Sequence, residues 1–227
     1  MSVWERLQSR LKEAGRRTLG AVLEALAARR ARRDEAAFSI ALIALSAKMA
    51  KADGMVTEAE IAAFQEFFHF PESEADKVRM IYSLAQKDVA GFDEYLSRVA
   101  RIFEDEPATL EDVLDCLYYI ALADGVAHPR EMELLERAGR AFKLSKAALR
   151  RVRAAHLGLG DDDPYAILGV DHDASDTAVR EAYRKLVRDN HPDALTGRGV
   201  PAEFVRIGEH RMAAINAAYE QVRAERG

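Results

Sequence analysis

Between residues 35 and 156 apolar side chains recur at helical spacing, and no stretch alternates as a half-buried strand would. The pattern predicts helices over 35–51, 58–69, 72–87, 92–105, 108–123, 130–142 and 145–156. Ile40, Ile43, Leu45 and Met49, and Val113, Leu117, Ile120 and Leu122, crowd their helices on several sides, so both are expected to be buried over much of their surface. The breaks carry local reasons. Gly54 and Gly125 can take positive φ after a helix, Pro71 and Pro107 suit a first turn, and Ser145 is a natural N-cap. Upstream, Trp4, Leu7, Leu11, Val22 and Leu26 mark an amphipathic helix over 3–28, followed by Arg29, Arg30, Arg32 and Arg33. Downstream, Asp163 caps a short helix opened by Pro164 and closed at Gly169. Ser175 caps a long helix with Val179, Tyr183, Leu186 and Val187 on its apolar face. That helix ends at Asn190, before a loop opening His191-Pro192-Asp193, and a last helix runs from Pro201 to Arg223. The expected architecture is all-α. It comprises an arm over 1–33, a bundle over 34–156, a linker over 157–162, and an antiparallel helical hairpin within a domain over 163–227.

The bundle contains an internal repeat. Ala52-Asp53-Gly54-Met55-Val56-Thr57-Glu58-Ala59-Glu60 returns as Ala123-Asp124-Gly125-Val126-Ala127-His128-Pro129-Arg130-Glu131, at a constant offset of 71. In the first copy Thr57 and Glu60 form a capping box. In the second, Pro129 takes the first helical position and Glu131 the third. Two readings stay open for the carboxylates Asp53, Glu60, Asp124 and Glu131: oxygen ligands for a divalent cation, or braces and caps for the two turns.

Charge adds a second layer. The chain has 33 Lys/Arg against 38 Asp/Glu, a net of −5, which gives no sign of a nucleic-acid partner. The distribution is uneven: residues 1–33 hold nine Lys/Arg against three Asp/Glu, residues 34–162 hold 15 against 24, and residues 163–227 hold 9 against 11. The arm's net +6 suits an anionic membrane surface, a partner protein, or packing on its own bundle. A single cysteine, Cys116, excludes a disulfide framework and a thiolate zinc site. The longest uncharged run near the N-terminus, Ala36 to Ala47, falls short of the ~20 apolar residues of a spanning helix. The expected location is cytoplasmic, with the arm able to hold the chain peripherally on the inner membrane face. In the C-terminal domain Arg180, Arg184 and Arg188 form an i, i+4, i+8 stripe with Lys185 beside it.

Asp-Pro-Tyr-Ala-Ile-Leu-Gly-Val at 163–170, Ala-Tyr-Arg-Lys-Leu at 182–186, His-Pro-Asp at 191–193 and Ile-Asn-Ala-Ala-Tyr-Glu at 215–220 occur in this order. The set resembles a J domain, the DnaJ-family module that engages DnaK-type chaperones. The duplicated Ala-Asp-Gly helix–loop–helix resembles the TerB-like helical domain over 35–156, and the two together are similar to the DjlA type of J-domain protein. The resemblance implies a co-chaperone that docks on an ATP-bound DnaK-type partner and stimulates its ATP hydrolysis. The contact residues it implies are His191, Pro192, Asp193, Arg180, Arg184, Lys185 and Arg188. Asp53, Glu60, Asp124 and Glu131 are the positions that match the TerB family's metal association. Ala194 stands where J domains usually have lysine, removing one positive charge beside the loop. There is no Gly/Phe-rich or Cys-rich segment, so direct client holding is not implied. A different reading makes the chain a metal-binding stress-response or envelope adaptor with the J domain secondary. An enzyme using His191 and Asp193 as acid and base is disfavoured, because no nucleophile or third orienting group accompanies them.

Overall fold

A computed structural model describes residues 35–53, 91–123, 125–160, 162–200 and 202–227. Among these residues there are nine helices and no strand: α1 (Glu35–Asp53), α2 (Phe92–Ile102), α3 (Pro107–Ala121), α4 (Pro129–Ala141), α5 (Lys146–Leu157), α6 (Pro164–Leu168), α7 (Asp176–Asp189), α8 (Pro192–Gly197) and α9 (Ala202–Arg226). The expected helices over 3–28, 58–69 and 72–87 lie outside the described residues, as do Gly54, Pro71 and the capping box of Thr57 and Glu60.

Helix starts follow their local signals. The Ser145 side chain accepts the Ala148 N–H at 3.1 Å, Asp163 accepts that of Tyr165 at 3.0 Å, and Ser175 accepts that of Ala178 at 3.2 Å. Each satisfies a backbone donor that the first turn leaves orphaned. Pro107, Pro129 and Pro164 open α3, α4 and α6, where a missing N–H costs nothing. Gly169 closes α6 in the left-handed region, φ 75°, a conformation that favours glycine.

α1 is the bundle's centre. Every residue from Phe38 to Met49 is buried, polar ones included, as expected of a helix that is apolar nearly all round. Ser46 satisfies its hydroxyl by donating to the Leu42 carbonyl at 2.9 Å, and the Lys48 ammonium stands 4.7 Å from the centroid of the Tyr95 ring. Around α1 pack α2, α3 and α4, with α5 against α3. Cys116 is buried on α3; burial first, then Asp115 and Asp112, pushes its thiol well above the ordinary range and keeps it protonated.

The C-terminal unit has its own smaller core of Tyr165, Ile167, Leu168, Val179, Leu186, Ile215, Ala218 and Val222. Tyr183 of α7 stacks on Tyr219 of α9, centroids 4.0 Å apart, and donates its hydroxyl to Asn216 at 3.0 Å. At the far end Arg226 donates to the Tyr165 hydroxyl at 3.1 Å, the Ala174 carbonyl at 2.7 Å and the Asp176 carboxylate at 2.9 Å.

The two units are joined by more than the segment around Gly158 and Gly160. α5 lies against α6 and α9, and α9 also reaches α3. Between them sits a buried charge cluster. α3 contributes Glu111, Asp112 and Asp115, and three guanidiniums answer them. Arg151 of α5 holds Glu111 at 3.3 and 3.4 Å and donates to the Ile167 carbonyl at 3.2 Å. Arg198, just after α8, grips Asp112 with two nitrogens at 2.7 and 3.1 Å. Arg211 of α9, only 3% exposed, bonds to Asp112 and lies 3.6 Å from Glu111. Its Nε is 2.9 Å from Asp115 Oδ2, an ion contact whose angle does not make a hydrogen bond. Burial pulls the Arg211 pKa down, but Asp115, Asp112 and Glu111 outweigh it and raise the pKa, so this cation stays charged. His156 completes the cluster, its Nε2 2.6 Å from Asp115 and its ring stacked on Tyr118.

Candidate chaperone-docking site

His191-Pro192-Asp193 lies at the corner where α7 turns toward α9. The sequence predicts a loop there; the structure instead starts a helix at Pro192, with His191 as its N-cap. The physical reason is local. Proline's fixed φ suits a first helical position, and His191 Nδ1 accepts the Asp193 N–H at 3.2 Å, so the imidazole does the work usually done by a serine or aspartate. That acceptor role places the neutral ring's proton on Nε2. α8 lasts six residues. It is closed by Arg198 and Val200 N–H groups donating back to Ala194 and Leu195 carbonyls at 3.0–3.2 Å. Asn190, buried before it, donates to the Leu186 carbonyl at 2.8 Å and terminates α7.

The corner is open to solvent. His191 and Pro192 are exposed and the Asp193 side chain is 94% exposed. Among the described residues its carboxylate has no Lys or Arg partner, and the His191 Nδ1 3.6 Å away already accepts the Asp193 N–H, which leaves the carboxylate accessible to an incoming donor. On the outer face of α7, Arg180, Arg184, Lys185 and Arg188 are all exposed. They are not equivalent. Lys185 is tied to Asp189 at 2.9 Å, whereas Arg180, Arg184 and Arg188 make no ion pair among the described residues. The cationic stripe is therefore three arginines, with a locally neutralised lysine beside it. Tyr183, Leu186, Ile215 and Tyr219 serve the packing of α7 on α9.

α8 is held from behind. Leu195 is buried and belongs to the bundle's core, together with Val200 and Ile207. Gly208 of α9 makes this approach possible, since a Cβ there would run into the Leu195 side chain. The cation positions read from the repeat are less developed. Glu131 is buried in the first turn of α4. Glu60, Asp124 and the side chain of Asp53 lie outside the described residues. Among the described residues no three His, Cys, Asp or Glu side chains are grouped to hold a metal. No described helix is long and apolar enough to cross a membrane.

Comparison with known proteins agrees with this arrangement. Residues 39–154 match the family described as tellurite resistance protein TerB, and residues 163–226 match the DnaJ domain. The chain belongs to the J-domain co-chaperones of the DjlA type. The co-chaperone protein DjlA of Photobacterium profundum is 27% identical over 219 residues, covering 85% of this chain and 79% of that protein. DjlA of Vibrio cholerae is 32% identical over 136 residues, 47% and 48% of the two chains. For DjlA of Shewanella oneidensis the figure is 43% over 65 residues, 29% and 25% of the two chains. No solved structure gave a significant match. As a DjlA-type chain, it combines a TerB bundle with a J domain whose tripeptide and arginine stripe face solvent.

Sequence reasoning missed Glu111, Asp112, Asp115, Arg151, Arg198 and Arg211. A signal existed for three of them: carboxylates at i, i+1 and i+4 in the otherwise apolar Leu-Glu-Asp-Val-Leu-Asp-Cys-Leu of 110–117 ask for buried partners.

Proposed function

We propose that this co-chaperone docks on a DnaK-type chaperone through His191, Pro192 and Asp193 and the basic face of α7, and stimulates the partner's ATP hydrolysis. The observation that carries this reading is the joint exposure of the Asp193 carboxylate and the Arg180, Arg184 and Arg188 stripe on one helix and the corner that ends it. Among the described residues α9 is the long helix of the hairpin that packs on bundle helices α3 and α5. An exposed carboxylate at a fixed corner accepts a charge-assisted bond from a cationic donor. The arginine stripe speeds encounter with an acidic surface. The nucleotide chemistry belongs to the partner. The test is steady-state ATPase of a purified DnaK-type chaperone with the wild type and Asp193→Asn. Loss of about tenfold or more in stimulation is expected, because the neutral amide forfeits the charged contact. Stimulation equal to wild type would remove the docking assignment.

Residues 1–33, with their net +6, support a second contact, peripheral binding to an anionic surface on the cytoplasmic side. Liposomes rich in acidic lipid are expected to pellet the full chain at low salt, and a chain lacking 1–33 is expected to stay in the supernatant. Equal pelleting of the two chains rejects this contact.

A further inference from the structure

The corner that carries the tripeptide is not built by the J domain alone. Arg198 joins two elements at one guanidinium. Two of its nitrogens hold the Asp112 carboxylate of bundle helix α3, and its Nη1 donates to the Asp189 carbonyl at 2.9 Å, two residues before His191. Asp112 is itself fixed, 2% exposed and bonded at Oδ1 by Arg211 as well. A second anchor is Leu195, seated in the bundle's core one turn beyond His191. The tripeptide thus lies between a carbonyl capped by Arg198 and an α8 pinned by Leu195, and both restraints draw on the bundle.

We propose that the TerB bundle positions the docking corner, with Asp112 and Arg198 as positioning residues that hold the end of α7 and helix α8 in the presented conformation. The proposal rests on the docking reading above. A bidentate arginine–carboxylate pair fixes direction as well as distance, which a lysine's single point charge does not. Without the clamp, Arg198 has no reason to stay over the Asp189 carbonyl, and the corner samples orientations that do not dock. A partner that binds only the presented state then sees a lower effective affinity, reduced by the fraction in that state. Once bound, the corner is the same, so the stimulated rate at saturation is unchanged.

The experiment uses the full chain as wild type, Arg198→Ala, Arg198→Lys and Asp193→Asn, with a purified DnaK-type chaperone and ATP. For Arg198→Ala the half-saturating concentration is expected to rise about fivefold or more with the saturated rate held. Arg198→Lys regains the charge and recovers only part of that loss. Hydrogen exchange gives a readout independent of the chaperone. In Arg198→Ala, amides of 195–200 are expected to exchange about tenfold faster, while the amides of 215–222 keep their protection. Unchanged exchange over 195–200 overturns the proposal, and so does equal acceleration throughout α9, which marks Arg198 as a fold element only. A half-saturating concentration equal to wild type, with wild type stimulating normally, also overturns it. If wild type and Asp193→Asn stimulate equally, the docking reading fails instead, and the exchange pattern still decides whether the bundle positions the corner.

Discussion

Asp112→Ala is expected to cost the folded chain about 3–5 kcal/mol, the usual loss when one member of a buried charge group is removed. The charge balance explains the size. Three carboxylates, Glu111, Asp112 and Asp115, face three guanidiniums, Arg151, Arg198 and Arg211, with Asp112, Asp115 and Arg211 buried and Arg198 at the cluster's half-buried edge. Deleting Asp112 leaves two anions for three cations. Arginine cannot escape by releasing a proton, and Arg211 is held more firmly charged than usual by the same carboxylates. The variant must therefore admit water or separate α9 from α3. Unfolding in urea, followed by circular dichroism, measures the loss. In a chain of this length it corresponds to a fall in Tm of about 10 °C. The exposed pair of Lys185 and Asp189 supplies the contrast, with Lys185→Ala expected to change stability by less than about 1 kcal/mol. The Asp112→Ala loss is expected to persist at high salt, because a buried pair is poorly screened. A loss below about 1 kcal/mol would show that water already reaches the carboxylate.

How far the sequence discloses such features depends on the range of the interaction. Ser145, Asp163 and Ser175 cap the helices expected of them, because an N-cap acts on an amide two or three residues away. Pro107, Pro129 and Pro164 are legible for the same reason. The tripeptide is recognisable from the order of the motifs around it, yet its conformation is not. Pro192 announces a helix start, but the survival of so short a helix depends on Leu195 entering the bundle's core past Gly208. Lys185 and Asp189 stand at i, i+4, so their pairing was readable and the lysine's charge could have been discounted. The buried cluster was half readable. Glu111, Asp112 and Asp115 stand out on an apolar helix, but Arg198 and Arg211 are more than eighty residues away and look like surface charges in their own segments. Only the docking of α9 on α3 brings them together.

Charge reversal on the stripe, Arg184→Glu with Arg188→Glu, is expected to raise the half-saturating concentration for the chaperone by tenfold or more, since like charges across an interface cost about several kcal/mol. Both side chains are exposed and make no ion pair among the described residues, so the fold is expected to be nearly indifferent, within about 0.5 kcal/mol. Salt separates this effect from the tripeptide's. Wild-type docking is expected to weaken as ionic strength rises from about 50 to about 300 mM, where screening reaches across the encounter distance. The reversed variant is expected to lose that dependence or to improve with salt. Asp193→Asn is expected to act differently, keeping the salt-sensitive encounter and losing the stimulated rate. The decisive measurement is therefore the stimulation curve of each variant at both salt concentrations. If the reversed chain saturates at the wild-type concentration with the wild-type salt response, the arginine stripe is a solvated face and docking rests on the corner alone.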